Sequence, residues 1–189
     1  MASFVFLIDS SQDMLMYINK TKEIIFRLIE EAKIKYEDVS GRIIEFRNIR
    51  EDNNSINIST IYDLKNDYES FLYAINNIKN YGGEYGVNGL EALHKAFNLE
   101  SGDIFILFTN TEPCELDNYK YLPCEAGIDI AYDDLINEWK KLKDSSKLIF
   151  FVPEYTKYYL FSKILNANIK YINKDINKIN LKLDIKNLI

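Results

Sequence analysis

Basic residues are in the minority in this sequence: 23 Lys and Arg stand against 29 Asp and Glu, a formal net charge of -6 over 189 residues. Without an excess of cations to displace counterions from a phosphate backbone, nucleic acid is not an expected partner. Long apolar runs are missing too. The stretch near the start, Phe4 to Ile8, is too short for a membrane span and has no basic flank, so neither a signal peptide nor membrane insertion is expected and the chain reads as cytoplasmic. Cysteine is sparse: Cys114 and Cys124 each sit in the tripeptide Pro-Cys-Glu, and their spacing fits no zinc pattern. A reduced pair is the plain expectation, with a loop disulfide as the alternative if the protein is exported. The one histidine, His94, sits beside Leu90 and Phe97 at helical spacing, which reads as a packed or half-buried side chain and offers no nucleophile–base pair.

What the sequence does have is apolar content, 47% of residues, arranged in alternating strand-like and helix-like segments with no low-complexity linker between them. A chain of this size buries roughly 70% of its unfolded surface as one domain, and the alternation is the mark of an α/β architecture. The unbroken apolar strand Phe4 to Ile8 reads as central in a parallel sheet covered on both faces. A helix from about Met14 to Tyr36 follows, then a strand Arg42 to Phe46. The segment Ser55 to Tyr62 comes too soon after it for a helical crossover, which predicts an antiparallel hairpin at one sheet edge. Asn66 with Glu69, and Asn88 with Glu91, have capping-box spacing before two further helices. "DIFILFT" is a buried strand leading into a long loop to about Asp129. A helix from Tyr132 to Lys143, a strand from Lys147 to Val152, a helix through Tyr158, Phe161 and Leu165, and a short strand Asn168 to Ile172 complete the series. Residues 1–173 read as one domain. Residues 174–189, which fit a helix or a strand, read as a tail packed on it.

Loops leaving the carboxyl ends of parallel strands meet on one edge of the sheet, and ligands bind there where strand order reverses. Three such segments are polar: Asp9 to Asp13, the turn around Gly82, Gly83 and Glu84, and Thr109 to Glu112. Carboxylate, hydroxyl and amide oxygens suit a hard cation, Mg²⁺ in near-octahedral geometry or Ca²⁺ with looser spacing, and nothing soft is at hand for zinc or copper.

The stretches "FLIDSSQDM", "YGGEYGVNGLEAL" and "FILFTNTEP" resemble, in order and spacing, the three loops of a von Willebrand factor A domain, and the antiparallel edge strand fits as well. The resemblance spans about Ser3 to Ile172. It implies a three-layer, doubly wound Rossmann-like fold with a mostly parallel sheet and one antiparallel edge strand. It also implies a metal-ion-dependent adhesion site, here degenerate. The family's Asp-x-Ser-x-Ser falls on Asp9, Ser11 and Asp13, with Asp in place of the last Ser. The second loop offers Glu84, and the third has Asn110 where the family has Asp. The implied cofactor is Mg²⁺, or Ca²⁺ or Mn²⁺, and the implied function is non-enzymatic protein–protein interaction, with an acidic side chain of the partner completing the metal shell.

The same residues have a plainer reading, in which Asp13 caps the first helix, Asp9 pairs with backbone amides and Glu84 points to solvent. The fold would then serve as a metal-independent structural subunit. Tyr85, Tyr119 and Tyr121 are candidate interface anchors, with packing of the loop onto its own domain as the alternative. Glu112, with Glu115, Asp117 and Glu125, forms an acidic cluster able to attract a basic partner or simply to be solvated. A rival from another class is a haloacid-dehalogenase-like phosphohydrolase, which the Asp after the first strand and "FILFTN" faintly resemble. Its first motif wants a second Asp two residues on, where this sequence has Ser11.

Overall fold

A computed structural model describes residues 1–47, 55–82, 87–99, 102–113, 116–117, 120–121, 132–142, 144–154 and 156–172. Strand β1 (Ala2–Asp9) leads through a 3-10 turn at Gln12–Met14 into α1 (Ile18–Lys35), followed by β2 (Val39–Phe46) and the short strands β3 (Ile56–Ile58) and β4 (Tyr62–Asp63). Then come α2 (Tyr68–Asn76), α3 (Gly89–Phe97), β5 (Ile104–Phe108) and the two-residue strands β6 (Leu116–Asp117) and β7 (Lys120–Tyr121). Helix α4 (Tyr132–Lys141), β8 (Lys147–Val152), α5 (Tyr158–Ile164) and β9 (Asn168–Tyr171) follow.

The main sheet runs β3-β2-β1-β5-β8-β9, with β4 also on β2. Strands β2, β1, β5, β8 and β9 are parallel, and β3 and β4 pair antiparallel with β2 at the edge. The hairpin expected from the sequence is there, interrupted in the middle. Ser59 explains the break: its Oγ accepts the Ile43 N–H at 2.9 Å while its own N–H donates to the Ile43 carbonyl at 2.9 Å. A side chain thus occupies one position of the ladder, and the strand is split in two. The small β6–β7 ribbon lies inside the stretch read as a long loop.

Side chains alternate across a strand, so β1 feeds two cores at once. Phe4, Phe6 and Ile8 pack with α1 and α2, while Val5 and Leu7 pack with α3, α4 and α5, giving helix–sheet–helix layers. Each such side chain contributes on the order of 2 kcal/mol on burial. Helix α1 buries Ile18, Ile24, Ile25, Leu28, Ile29 and Ala32 at its helical period. It starts later than the sequence pattern predicts because residues 12–17 form tight turns that bury Met14. On the opposite layer, Trp139 of α4 packs on Phe97 and Phe105, with ring centroids 5.1 and 6.0 Å apart. His94 on α3 is half-buried, as its spacing predicts. No helix among the described residues is long and apolar enough to cross a membrane.

The chain passes from β1 to β2 on one side and later returns to β5 on the other side of β1. Strand order therefore reverses at β1, which makes the carboxyl ends of β1 and β5 the switch point of the sheet.

Candidate functional site

Parallel register places Ile8 opposite Phe108, so the next residues, Asp9 and Thr109, leave the sheet side by side. Both are fully buried. Thr109 Oγ1 donates to Asp9 Oδ2 at 2.7 Å, and Thr111 Oγ1 donates to the same oxygen at 3.2 Å. The Ser11 N–H donates to Asp9 Oδ1 at 2.8 Å. Burial pushes the Asp9 carboxyl above its usual range, and the donors on Thr109, Ser11 and Thr111 act in the opposite sense. Among the described residues, no ion pair involves Asp9. A charged carboxylate here is thus compensated by dipoles rather than by a cationic side chain.

The second loop is tied to the first through its backbone. The Gln12 N–H donates to the Gly82 carbonyl at 2.7 Å, the Tyr81 N–H to the Ser10 carbonyl at 3.0 Å, and Asn80 Nδ2 to the Ser11 carbonyl at 3.0 Å. Gly82 has φ of 67°, a left-handed conformation that suits glycine. The Tyr81 ring lies over the Arg47 guanidinium at 4.0 Å, which fixes its position while leaving it 45% exposed. Where the chain resumes, Val87 bridges to Pro113 and its N–H donates to the Glu112 carbonyl at 3.2 Å. The third loop is in turn tied to α5, because Glu112 Oε2 accepts the Lys157 N–H at 3.2 Å.

Asp9, Ser11, Asp13 and Asn110 come together at this edge in different states. Ser11 is buried and its Oγ has no hydrogen-bond partner among the described residues. Asp13 is exposed, and Asn110 Nδ2 approaches its backbone carbonyl at 3.4 Å. Neither Ser11 nor Asp13 caps α1; Ser11 precedes the 3-10 turn without a side-chain cap, and Tyr17 precedes the helix. Glu84, Tyr85 and Tyr119 lie outside the described residues, as do Cys114, Cys124 and residues 174–189. Tyr121 is described only as a strand position, paired with Leu116. Glu112 is exposed at the rim.

Thr109 and Thr111 are the partners of Asp9 that the motif pattern does not reveal. The register of β1 against β5 reveals Thr109, since a residue following each of two paired parallel strands meets the other. Beneath the site lies a second polar group. Tyr158 is fully buried, and neither its hydroxyl nor Glu91 Oε2 has a hydrogen-bond partner among the described residues. Burial first, then the charges of Asp9, Glu91 and Glu112, hold the Tyr158 hydroxyl well above its usual pKa; burial also raises Glu91.

Among the described residues, no three His, Cys, Asp or Glu side chains gather closely enough to hold a metal ion. A cation at Asp9 would draw on hydroxyl and amide oxygens, an all-oxygen donor set suited to Mg²⁺ or Ca²⁺. Ser11 Oγ, buried next to that carboxylate, is a hydroxyl oxygen of the kind such a cation takes.

No family model matches the sequence, and no curated protein matches it. Solved structures do match in fold. The chain is similar to the SpRpn10 VWA domain, with a TM-score of 0.59 and 14% identity over 95% of this chain and 96% of that one. It is also similar to the D319A mutant of the PilB minor pilin from Streptococcus sanguinis, with a TM-score of 0.56 and 12% identity over 99% of this chain and 62% of that one. A third similar structure is the pilus adhesin SpaC from Lactobacillus rhamnosus GG in its open conformation, with a TM-score of 0.57 and 12% identity over 99% of this chain and 30% of that one. The chain therefore spans less than two thirds of the two pilus proteins. The fold is the three-layer, Rossmann-like α/β arrangement of a von Willebrand factor A domain, with a mostly parallel sheet and an antiparallel edge.

Proposed function

We propose that this protein is a non-enzymatic protein-interaction module that docks its partner on the carboxyl edge of the sheet. The observation that carries the reading is the convergence of three mutually fastened polar loops at the point where strand order reverses around buried Asp9. Binding sites of doubly wound folds form at such points. In the finer form of the proposal, Asp9, Ser11, Asp13, Glu84 and Asn110 hold a divalent cation, Mg²⁺ or alternatively Ca²⁺ or Mn²⁺, directly or through water. The cation would supply an open coordination position to a partner carboxylate. Asp13, a carboxylate where the family has a hydroxyl, lowers the positive charge of such a centre and weakens its attraction for an anion.

A metal-independent form of the same module is favoured by one observation: both oxygens of Asp9 already accept hydrogen bonds from the chain itself. Titration of Mg²⁺, Mn²⁺ and Ca²⁺ by calorimetry, on the native chain and on Asp9→Ala, separates the two. Saturable binding lost in Asp9→Ala supports the cation; absence of binding to either chain leaves the metal-independent form. A cytoplasmic setting belongs to the same proposal. Fractionation of cells of the source organism tests it, and recovery at the cell surface would reject it.

A further inference from the structure

The edge carries an apolar rim as well as polar loops. Met16 is 87% exposed and Leu15 60% exposed, directly after the 3-10 turn. Isolated exposed apolar side chains are ordinary, but these sit on backbone fixed from several sides. Met14 between Asp13 and Leu15 is buried as an anchor, the Leu15 N–H donates to Gln12 and the Tyr17 N–H to Met14, and the Asn110 amide reaches Asp13. On the neighbouring loop, Tyr81 is held at its backbone by Ser10 and at its ring by Arg47. Backbone fixed in this way pays little further ordering entropy on binding, which leaves the rotamer freedom of Leu15 and Met16 as the remaining cost.

Two of the three loops carry only negative charge, while the loop of Tyr81 has exposed Lys79 and rests on the buried Arg47 guanidinium. Residues 9–17 and 109–113 contain Asp9, Asp13 and Glu112 and no Lys or Arg. The Asp13 side chain makes no hydrogen bond or ion pair among the described residues, and Glu112 uses one oxygen on the α5 backbone. An apolar rim beside unneutralised carboxylates is complementary to a segment that alternates apolar and cationic side chains, since opposite potentials steer association and fix its register.

We infer that the rim of Leu15, Met16 and Tyr81, with Asp13 and Glu112 beside it, binds a protein segment in which Leu-type side chains neighbour Lys or Arg. The inference rests on reading this edge as the docking edge, and it does not require the cation. It assigns the partner a basic surface where the metal-dependent form assigns an acidic one.

Fluorescence anisotropy with three labelled peptides of equal length, Leu/Lys, Leu/Glu and Ser/Lys, tests it in buffers with Mg²⁺ and with EDTA. The Leu/Lys peptide should bind saturably, about tenfold or more tighter than either of the others. Binding should weaken about tenfold in the Leu15→Ser/Met16→Ser double variant and about threefold in Asp13→Asn, and raised salt should weaken it further. Leu160→Ser, on the exposed face of α5, should leave it unchanged. EDTA should have no effect. Equal loss in Leu160→Ser would overturn the assignment as nonspecific adsorption, and failure of all three peptides would overturn it outright. Preference for Leu/Glu, present with Mg²⁺ and lost in Asp9→Ala, would also overturn it while leaving edge docking intact. A concentration-dependent dimer abolished by Leu15→Ser/Met16→Ser would instead assign the rim to a second copy of this chain.

Discussion

Gly89→Ala probes how closely the helix that opens behind the site fits its neighbours. A methyl group there would collide with the Tyr158 hydroxyl, and would lie 3.2 Å from Tyr158 Cζ and 3.4 Å from Phe46 Cε2. Overpacking of this kind costs about 1–3 kcal/mol, and the gain in helix propensity at a first-turn position is smaller, so a loss of about 2 kcal/mol is expected. Tyr158→Phe removes the colliding atom, which is buried without a partner among the described residues. Deleting an unsatisfied hydroxyl should be neutral or stabilising by about 1 kcal/mol. In the double variant the nearest atom is a ring carbon, so most of the loss should be recovered, with an interaction energy of at least about 1 kcal/mol. Urea unfolding reads all four proteins as shifts in midpoint at constant slope. A double variant as unstable as Gly89→Ala alone would refute the steric account. A cost above about 1 kcal/mol for Tyr158→Phe would show that the hydroxyl has a partner.

Three further outcomes follow from the site. Thr109→Val, which deletes the 2.7 Å donor to Asp9 while keeping the side-chain shape, should cost about 2 kcal/mol in urea unfolding; a neutral result would mean that this hydrogen bond contributes nothing. Gly82→Ala should lose about 1–2 kcal/mol because alanine resists the left-handed backbone at φ of 67°, and wild-type stability would show that the turn relaxes freely. In metal-free buffer, the raised Asp9 pKa means that the folded state holds this proton more tightly than the unfolded chain, whose value is near 3.8. The resulting stabilisation is full below that pH and is lost as pH rises through the folded value, so the native chain should lose stability relative to Asp9→Asn as pH is raised. A difference that stays flat or grows in the other direction would contradict the burial account.

The architecture was legible because its signals are local and periodic. The apolar run Phe4 to Ile8, the alternation of strands and helices and the short gap before Ser55 predict the parallel centre and the antiparallel edge, and the sheet has both. Two features were not legible, since each depends on atoms far apart in sequence. Ser59 breaks the edge strand with a side chain that imitates backbone, and Thr109 and Thr111 reach Asp9 from about 100 residues away, a contact that only register defines. Motif matching pointed to Asp9, Ser11, Asp13, Glu84 and Asn110, of which Glu84 lies outside the described residues and the other four share one edge. It gave no sign that Asp9 is engaged by threonines or that Leu15, Met16 and Tyr81 are left exposed near it.

The docking edge itself is tested most directly by site-specific photocrosslinking in cells of the source organism. A photoreactive phenylalanine analogue at Tyr81, on the carboxyl edge, is compared with one at exposed Asp144 in the turn that enters β8 at the opposite end. The account predicts a discrete protein adduct from position 81 that Leu15→Ser/Met16→Ser diminishes, and none of the same mass from position 144. Adducts from position 144 alone would contradict it and move the binding surface to the other end of the sheet.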